Sequence, residues 1–308
     1  MANITAKDVA ALRAKTGCGM MECKKALVEA NGDIDEAVKV LRERGLAVAA
    51  KKAERIAAEG VVKIMEKDGA AAMIEVNSES DFVAKNEKFQ AFVDTLLETI
   101  LANKPADVDA LMECKLGEQT VDAALKEQIF VIGEKLTIRR FVIVEGAVST
   151  YVHGGGAIGV IVKFLVDGFC PCTEAFKEAA HNVALQCAAM NATYAKKSDV
   201  PESAIEEEKN IQLAQMANDP KMANKPEKVK EGIVMGKMGK FYETVCLAEQ
   251  AYVKDDSMSV QKYVDSVAKE LGGKIVIDSF IRYEKGEGLQ KREDDLAAEV
   301  AKLTGQQA

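Results

Sequence analysis

Residues 1–55 carry their apolar positions at helical spacing, and from Gly60 onward the period shortens to that of strands. Three helices are predicted in the first stretch. Thr5 with Asp8 three residues on forms a capping arrangement, Ile4 can staple onto Val9, Leu12 continues the apolar face and Gly17 stops it. A second helix runs from Met20 to Ala30 and ends at Asn31-Gly32. The third opens with Asp33 as cap and Glu36 three on, buries Ile34, Ala37, Val38 and Leu41, and stops at Gly45. Helices of this size enclose a very small core, so the module is expected to be marginal alone and flexibly joined to the rest. The Ala/Lys-rich run from Leu46 to Glu59 reads as a connecting helix whose lysines form a solvated face.

Val61 to Met65 and Ala71 to Asn77 read as strands flanking Lys67-Asp68-Gly69, a hairpin turn. In the second strand Ala72, Ile74 and Val76 alternate with Met73, Glu75 and Asn77, a period that turns one set inward. A helix follows, with Asn86 as N-cap and Phe89, Phe92, Val93, Leu96 and Ile100 on one face. Between strand and helix lies Ser80-Asp81-Phe82-Val83, a short connection with a carboxylate beside an aromatic ring. A Phe in a polar turn either folds back as a plug over the strand–helix junction or is presented to something else.

Helical patches at 107–113 and 120–133 precede a β-branched strand, Leu136 to Glu145. Then the plan repeats: Val148 to His153 and Ile158 to Val166 pair across a glycine turn, and a helix runs from Thr173 to Met190. Strand, turn, strand, helix occurring twice implies a duplicated core, with one subdomain at 56–145 and a second at 146–195 and 240–285. Residues 196–239 interrupt the second copy with polar helical sequence: Pro201 suits a helix start, and Asn218-Asp219-Pro220 breaks the helix. A second helix spans Pro226 to Val245. Ile205, Leu213 and Met216 give only a thin apolar stripe, so the two helices read as a protruding antiparallel pair; that stripe leaves a homodimer open. Val260 to Leu271 is an amphipathic helix and Lys274 to Tyr283 a strand ended by Gly286-Glu287-Gly288. Residues 286–308 carry a last helix, Arg292 to Leu303, with Leu296, Val300 and Leu303 on one face. The fold class expected is α+β.

Composition narrows the function. A chain of 308 residues with 48% hydrophobic and 29% charged residues fits a globular, cytoplasmic protein of several small domains. Its net charge of −8 argues against gripping nucleic acid, and no run approaches the ~20 apolar residues of a membrane span. The start, MANITAKDV, has no apolar secretion segment. Seven cysteines at irregular spacing read as reduced thiols; Cys170-Pro171-Cys172 is the one apparent pair, and it lacks the C-x-x-C spacing of a redox motif. With His153 and His181 as the only histidines, no metal site is expected, and no cofactor either. Gly154-Gly155-Gly156-Ala157-Ile158-Gly159 formally matches G-x-G-x-x-G, yet Val160-Ile161-Val162 continues as a strand, so no helix N-terminus follows to meet a pyrophosphate. Catalytic residues are absent from the reading: no paired carboxylates at helical spacing and no Cys–His nucleophile.

Two stretches carry a family resemblance. Glu75-Val76-Asn77-Ser78-Glu79-Ser80-Asp81-Phe82-Val83-Ala84-Lys85 resembles the signature of bacterial translation elongation factor Ts, with Ser80 where that family usually has Thr. Leu12-Arg13 through Thr16-Gly17 and on to Lys24-Lys25-Ala26-Leu27 resembles its other signature. By itself the Met20-Met21 pair is ambiguous. Neighbours on a helix are about 100° apart, so both cannot face a core; one is expected to be exposed, as on a binding surface, or both fill gaps.

The resemblance implies that residues 1–55 form a ubiquitin-associated-like bundle whose Gly-Met-Met turn docks on the GTPase domain of elongation factor Tu. It implies a duplicated core, a coiled-coil arm at 196–239 and a C-terminal module that holds the GTPase. Tyr151-Val152-His153-Gly154 fits a Tyr-x-His-Gly run and puts His153 at the partner contact, with a glycine run one residue longer than usual. The implied activity is guanine-nucleotide exchange on elongation factor Tu during translation elongation, without covalent chemistry. Ser80, Asp81, Phe82 and Val83 are then the segment that enters near the partner's magnesium and phosphates. The competing reading is a helical adaptor or chaperone-like binding protein without exchange activity, which leaves Ser80–Val83 without a task.

Overall fold

The computed structural model describes residues 4–219 and 226–290. The helix expected at Arg292 to Leu303, and with it most of the 286–308 module, lies outside the described residues. The chain is an α+β protein. It divides into two units, one made of 1–63, 74–141 and 284–308, the other of 64–73 and 142–283.

In the first unit, α1 (Ala6–Thr16) has the expected capping box: Thr5 Oγ1 accepts from the Asp8 amide while the Asp8 carboxylate accepts from Thr5. Gly17 ends it in the left-handed region, where a residue without Cβ is unstrained. Then come α2 (Met20–Glu29) and α3 (Ile34–Lys52), the latter capped by Asp33. Leu12, Cys23, Ala26, Leu27, Ala37 and Leu41 make their shared core, with Ile4 packed against it. The third helix runs through Gly45 instead of stopping there. Gly45 is buried, and a Cβ there would lie 3.5 Å from Cβ of Phe130, so close packing outweighs the intrinsic cost of a mid-helix glycine. The separate connecting helix expected at 46–59 is therefore the end of α3, and Glu59 already belongs to a strand.

β1 (Glu59–Lys67), β2 (Ala70–Ser78) and β5 (Leu136–Glu145) form a sheet in the order β1-β2-β5. Between them run α4 (Asp81–Ala84), α5 (Glu87–Asn103), α6 (Val108–Glu113), the short β3–β4 hairpin (Lys115–Leu116, Gln119–Thr120) and α7 (Val121–Ile132). β2 departs from the expected alternation, because all nine of its residues are buried. Glu75 does not mark a wet face. It lies under Arg139, Arg140 and the backbone of Gly286. Gly60 shows how closely β1 meets β2: at φ 125° its absent Cβ would sit 2.1 Å from the Val76 carbonyl. Gly60→Ala is expected to destabilise the protein by roughly 2 kcal/mol or more through strain and forced displacement. A urea midpoint unchanged from wild type would contradict that.

In the second unit β6 (Ala147–His153) pairs antiparallel with β7 (Ile158–Asp167), and β10 (Lys274–Glu284) joins β7 on its other side. α8 (Glu174–Met190) follows the hairpin, as α5 follows β1–β2. In each sheet the second strand of the hairpin is central and a later strand completes it, so the plan occurs twice. The glycines at 154–156 all have positive φ and turn the β6–β7 hairpin, so no phosphate-facing helix follows them. Val160, Val162, Phe164, Phe176, Val183, Ile275 and Ile277 belong to this unit's core. The inserted helices α9 (Glu202–Asn218) and α10 (Glu227–Val245) pack together around Met216, Val234 and Met238. The chain leaves and returns at one place, since Thr193 and Tyr194 donate to the Val245 carbonyl at 2.9 Å each and Leu247 donates to Tyr194 at 2.9 Å. After the short β8–β9 hairpin (Ala251–Tyr252, Asp255–Ser259), α11 (Val260–Glu270) precedes β10.

The cysteines differ from expectation at one point. Cys170 and Cys172 are joined across Pro171, their Cα atoms 5.2 Å apart and so within bridging reach, while Cys18, Cys23, Cys114, Cys187 and Cys246 are free.

Candidate functional site

The short connection after β2 is a single helical turn, α4. Ser80 caps it, its Oγ accepting from the Val83 amide at 3.4 Å. Asp81 and Lys85, four residues apart, form an ion pair at 2.6 Å. The hydrogen bond from Lys85 is the main reason the Asp81 carboxyl is held below its ordinary value. Asn86 then caps α5, accepting from the Lys88 amide at 2.9 Å and the Phe89 amide at 3.4 Å. One cap starts the turn and a second starts the helix that follows it. Ala84 is its buried residue, Val83 is half-buried and Phe82 is 81% exposed. The ring does not plug the strand–helix junction.

A scaffold that the sequence reading missed holds this turn. Glu75, with no exposed surface, accepts from Arg139 Nη1 at 3.0 Å, Arg140 Nε at 2.7 Å, Asn77 Nδ2 at 3.1 Å and the Gly286 amide at 2.8 Å. Burial pushes the Glu75 carboxyl up, but these four donors together outweigh it and hold it below the ordinary range. Nearer the turn, Glu134 accepts from Ser80, and Glu79 accepts from the Lys135 amide at 2.6 Å. The signals for Glu75 were in the sequence: a lone carboxylate inside an apolar strand, and Arg139-Arg140 inside a β-branched one. No comparable signal marks Glu134, because its partner is set by the fold.

Met20 and Met21 open α2 in the same unit, 59% and 63% exposed. The expectation that one of them would be exposed is too cautious: both are, since Cys23, Ala26 and Leu27 fill the inner face of the helix. Val28 on that helix is also exposed. Ser80–Val83 share one turn of the first unit, and His153 belongs to the other unit. It is the last residue of β6, exposed, with Nδ1 3.2 Å from the Tyr151 hydroxyl and its carbonyl accepting from the Gly156 and Ala157 amides. Among the described residues no three or more His, Cys, Asp or Glu side chains are placed to hold a metal ion. No helix among them is long and apolar enough to cross a membrane.

An exposed aromatic ring on a capped, internally buttressed turn is suited to contact with another macromolecule. The sequence profile of a family described as Elongation factor TS matches residues 79–287, a span that contains Ser80–Val83 and His153 but not Met20 or Met21. Elongation factor Ts of Clostridium botulinum (strain Alaska E43 / Type E3) is 46% identical, over 98% of this chain and 99% of the relative. That of Symbiobacterium thermophilum is 46% identical over 99% of each, and that of Syntrophotalea carbinolica 43% over 98% and 99%.

Proposed function

The chain belongs to the elongation factor Ts family, and from that membership we propose that it is a guanine-nucleotide exchange factor. It binds elongation factor Tu carrying GDP in the cytoplasm and promotes release of GDP and its replacement by GTP during translation elongation. Such a factor makes and breaks no covalent bond. It binds the nucleotide-free GTPase more tightly than the nucleotide-bound form, and reciprocity then requires it to weaken nucleotide binding by the same factor.

In this reading Ser80–Val83 enters near the partner's magnesium and phosphate-binding loop, with Phe82 as the wedge and Asp81 beside it. The observation that supports it is the 81% exposure of Phe82 on a turn capped at Ser80 and followed at once by the Asn86 cap. Residues 1–55 act as the docking module through Met20 and Met21, and His153 makes a further contact from the second core subdomain. The partner supplies the metal; the chain needs no cofactor of its own.

Fluorescent GDP leaving elongation factor Tu, followed by stopped flow, tests the proposal. Catalytic amounts of the chain should accelerate release, whereas a helical adaptor would leave the rate as it is. Replacing Met20 and Met21 together by Ala should raise the factor concentration needed for half-maximal release by about tenfold or more, given the apolar area each exposes. A half-maximal concentration within twofold of wild type would remove them from the docking surface.

A further inference from the structure

We propose that Glu134 is a positioning residue for exchange: it holds Ser80 so that the Phe82 ring stands outward in the inserting geometry. This inference rests on the exchange reading above. One carboxylate serves one residue twice, since the Ser80 amide donates to Glu134 Oε2 at 2.9 Å and the Ser80 hydroxyl donates to Oε1 at 2.6 Å. With its proton committed to Glu134, the hydroxyl offers a lone pair to the Val83 amide, and Ser78 Oγ donates to the Ser80 carbonyl at 2.9 Å. The neighbouring residues repeat the arrangement in reverse: the Lys135 amide donates to Glu79 at 2.6 Å, and Arg55 pairs with the same carboxylate at 3.2 Å. Residues 79–80 and 134–135 therefore hold each other through reciprocal bonds from backbone amides to carboxylates.

The turn needs this support. A four-residue helix is far too short to persist by itself, and the exposed ring has little packing of its own to set its direction. The direction of the ring is therefore the direction of its backbone, and Glu134 fixes the residue that starts it. Glu134 in turn follows the α7 C-cap, Gly133, whose amide donates to Ile129 at 3.0 Å and whose carbonyl accepts from Lys52 of α3. Phe130 and Val131 of α7 pack against the core of the N-terminal helices, and Lys135 Nζ reaches the Arg55 carbonyl at 2.8 Å. The N-terminal helix bundle, whose α2 carries Met20 and Met21, and the turn carrying Phe82 thus share one support within the first unit.

Ser80 and Glu134 are only half-buried, so water can replace the lost bonds in a variant, and the loss should fall on turn geometry more than on folding. The test measures GDP release from elongation factor Tu against factor concentration for wild type, Glu134→Gln, Glu134→Ala, Ser80→Ala and Phe82→Ala, with thermal melts alongside. Glu134→Ala should lower the saturating rate by about tenfold, the scale of one charge-assisted hydrogen bond, and shift the half-saturating concentration by less than about twofold. Glu134→Gln, which keeps an acceptor, should fall between. Ser80→Ala should resemble Glu134→Ala and decides the question should the latter fail to fold. Adding Glu134→Ala to Phe82→Ala should cost little more than Phe82→Ala alone, because a misplaced wedge and a missing wedge fail at the same step. A folded Glu134→Ala protein with the wild-type saturating rate, while Phe82→Ala is slow, would overturn this inference and leave the exchange reading standing. A Phe82→Ala protein as fast as wild type would remove the wedge role of Phe82, and this inference with it, while exchange activity itself stood.

Discussion

Glu75→Ala is expected to lower the unfolding free energy by about 3–5 kcal/mol, the usual cost of removing one partner from a buried ion pair. The carboxylate has no exposed surface and accepts from two guanidinium groups, one side-chain amide and one backbone amide. Its removal leaves Asn77 and the Gly286 amide without that acceptor and sets two cations facing each other across a cavity. It also frees the returning chain, since Arg140 reaches Glu287 at 3.2 Å and Arg139 bonds the Glu287 carbonyl. The loss would be a large share of the ~5–15 kcal/mol that stabilises a typical domain. Urea unfolding measures it, and a change under about 1 kcal/mol would show the network to be dispensable.

The same group sets a pH dependence. Because the carboxyl of Glu75 is depressed in the folded protein, its contribution is fully present above the unfolded carboxylate value of about 4.3 and is lost as pH falls through the lower folded value. Wild type should therefore lose stability as the pH drops below that range, and Glu75→Gln should lose less over the same interval.

Phe82→Ala is expected to carry the largest functional effect. An 81% exposed ring contributes little to its own fold, so the variant should melt within about 0.5 kcal/mol of wild type. Burying a Phe in a partner is worth roughly 2–3 kcal/mol, which is about one to two decades in an equilibrium or a rate. The maximal rate of GDP release should fall by that much. A wedge of this size cannot supply a larger acceleration alone; in the proposed function the surfaces at Met20–Met21 and His153 anchor the complex while the ring enters.

Local chemistry made much of the fold legible. The Thr5–Asp8 box, the Asp33 and Asn86 caps and the Gly17 stop need only neighbours in sequence, and each appears where it was expected. The glycine run at 154–156 is assignable to a hairpin because Val160-Ile161-Val162 after it continue as a β-branched strand. Gly45 misled because its fate depends on Phe130, eighty-five positions away in the chain. The alternation in β2 misled for a related reason: it turns only one set inward, whereas the fold brings Arg139 and Arg140 over Glu75 and buries the other set as well. In the candidate site, Asp81-Phe82 stood out as an aromatic in a polar turn, and the exposure of the ring was one of two readings left open. The support from Glu134 could not be read, since its distance in sequence from Ser80 hides a direct hydrogen bond.

The proposed function has this chain press an aromatic side chain into the nucleotide-holding machinery of a GTPase. Its most direct test is the single-turnover release of fluorescent GDP from elongation factor Tu at saturating factor, wild type against Phe82→Ala. The account predicts release slowed about ten- to hundredfold by a variant that folds and binds. Release at the wild-type rate would contradict it.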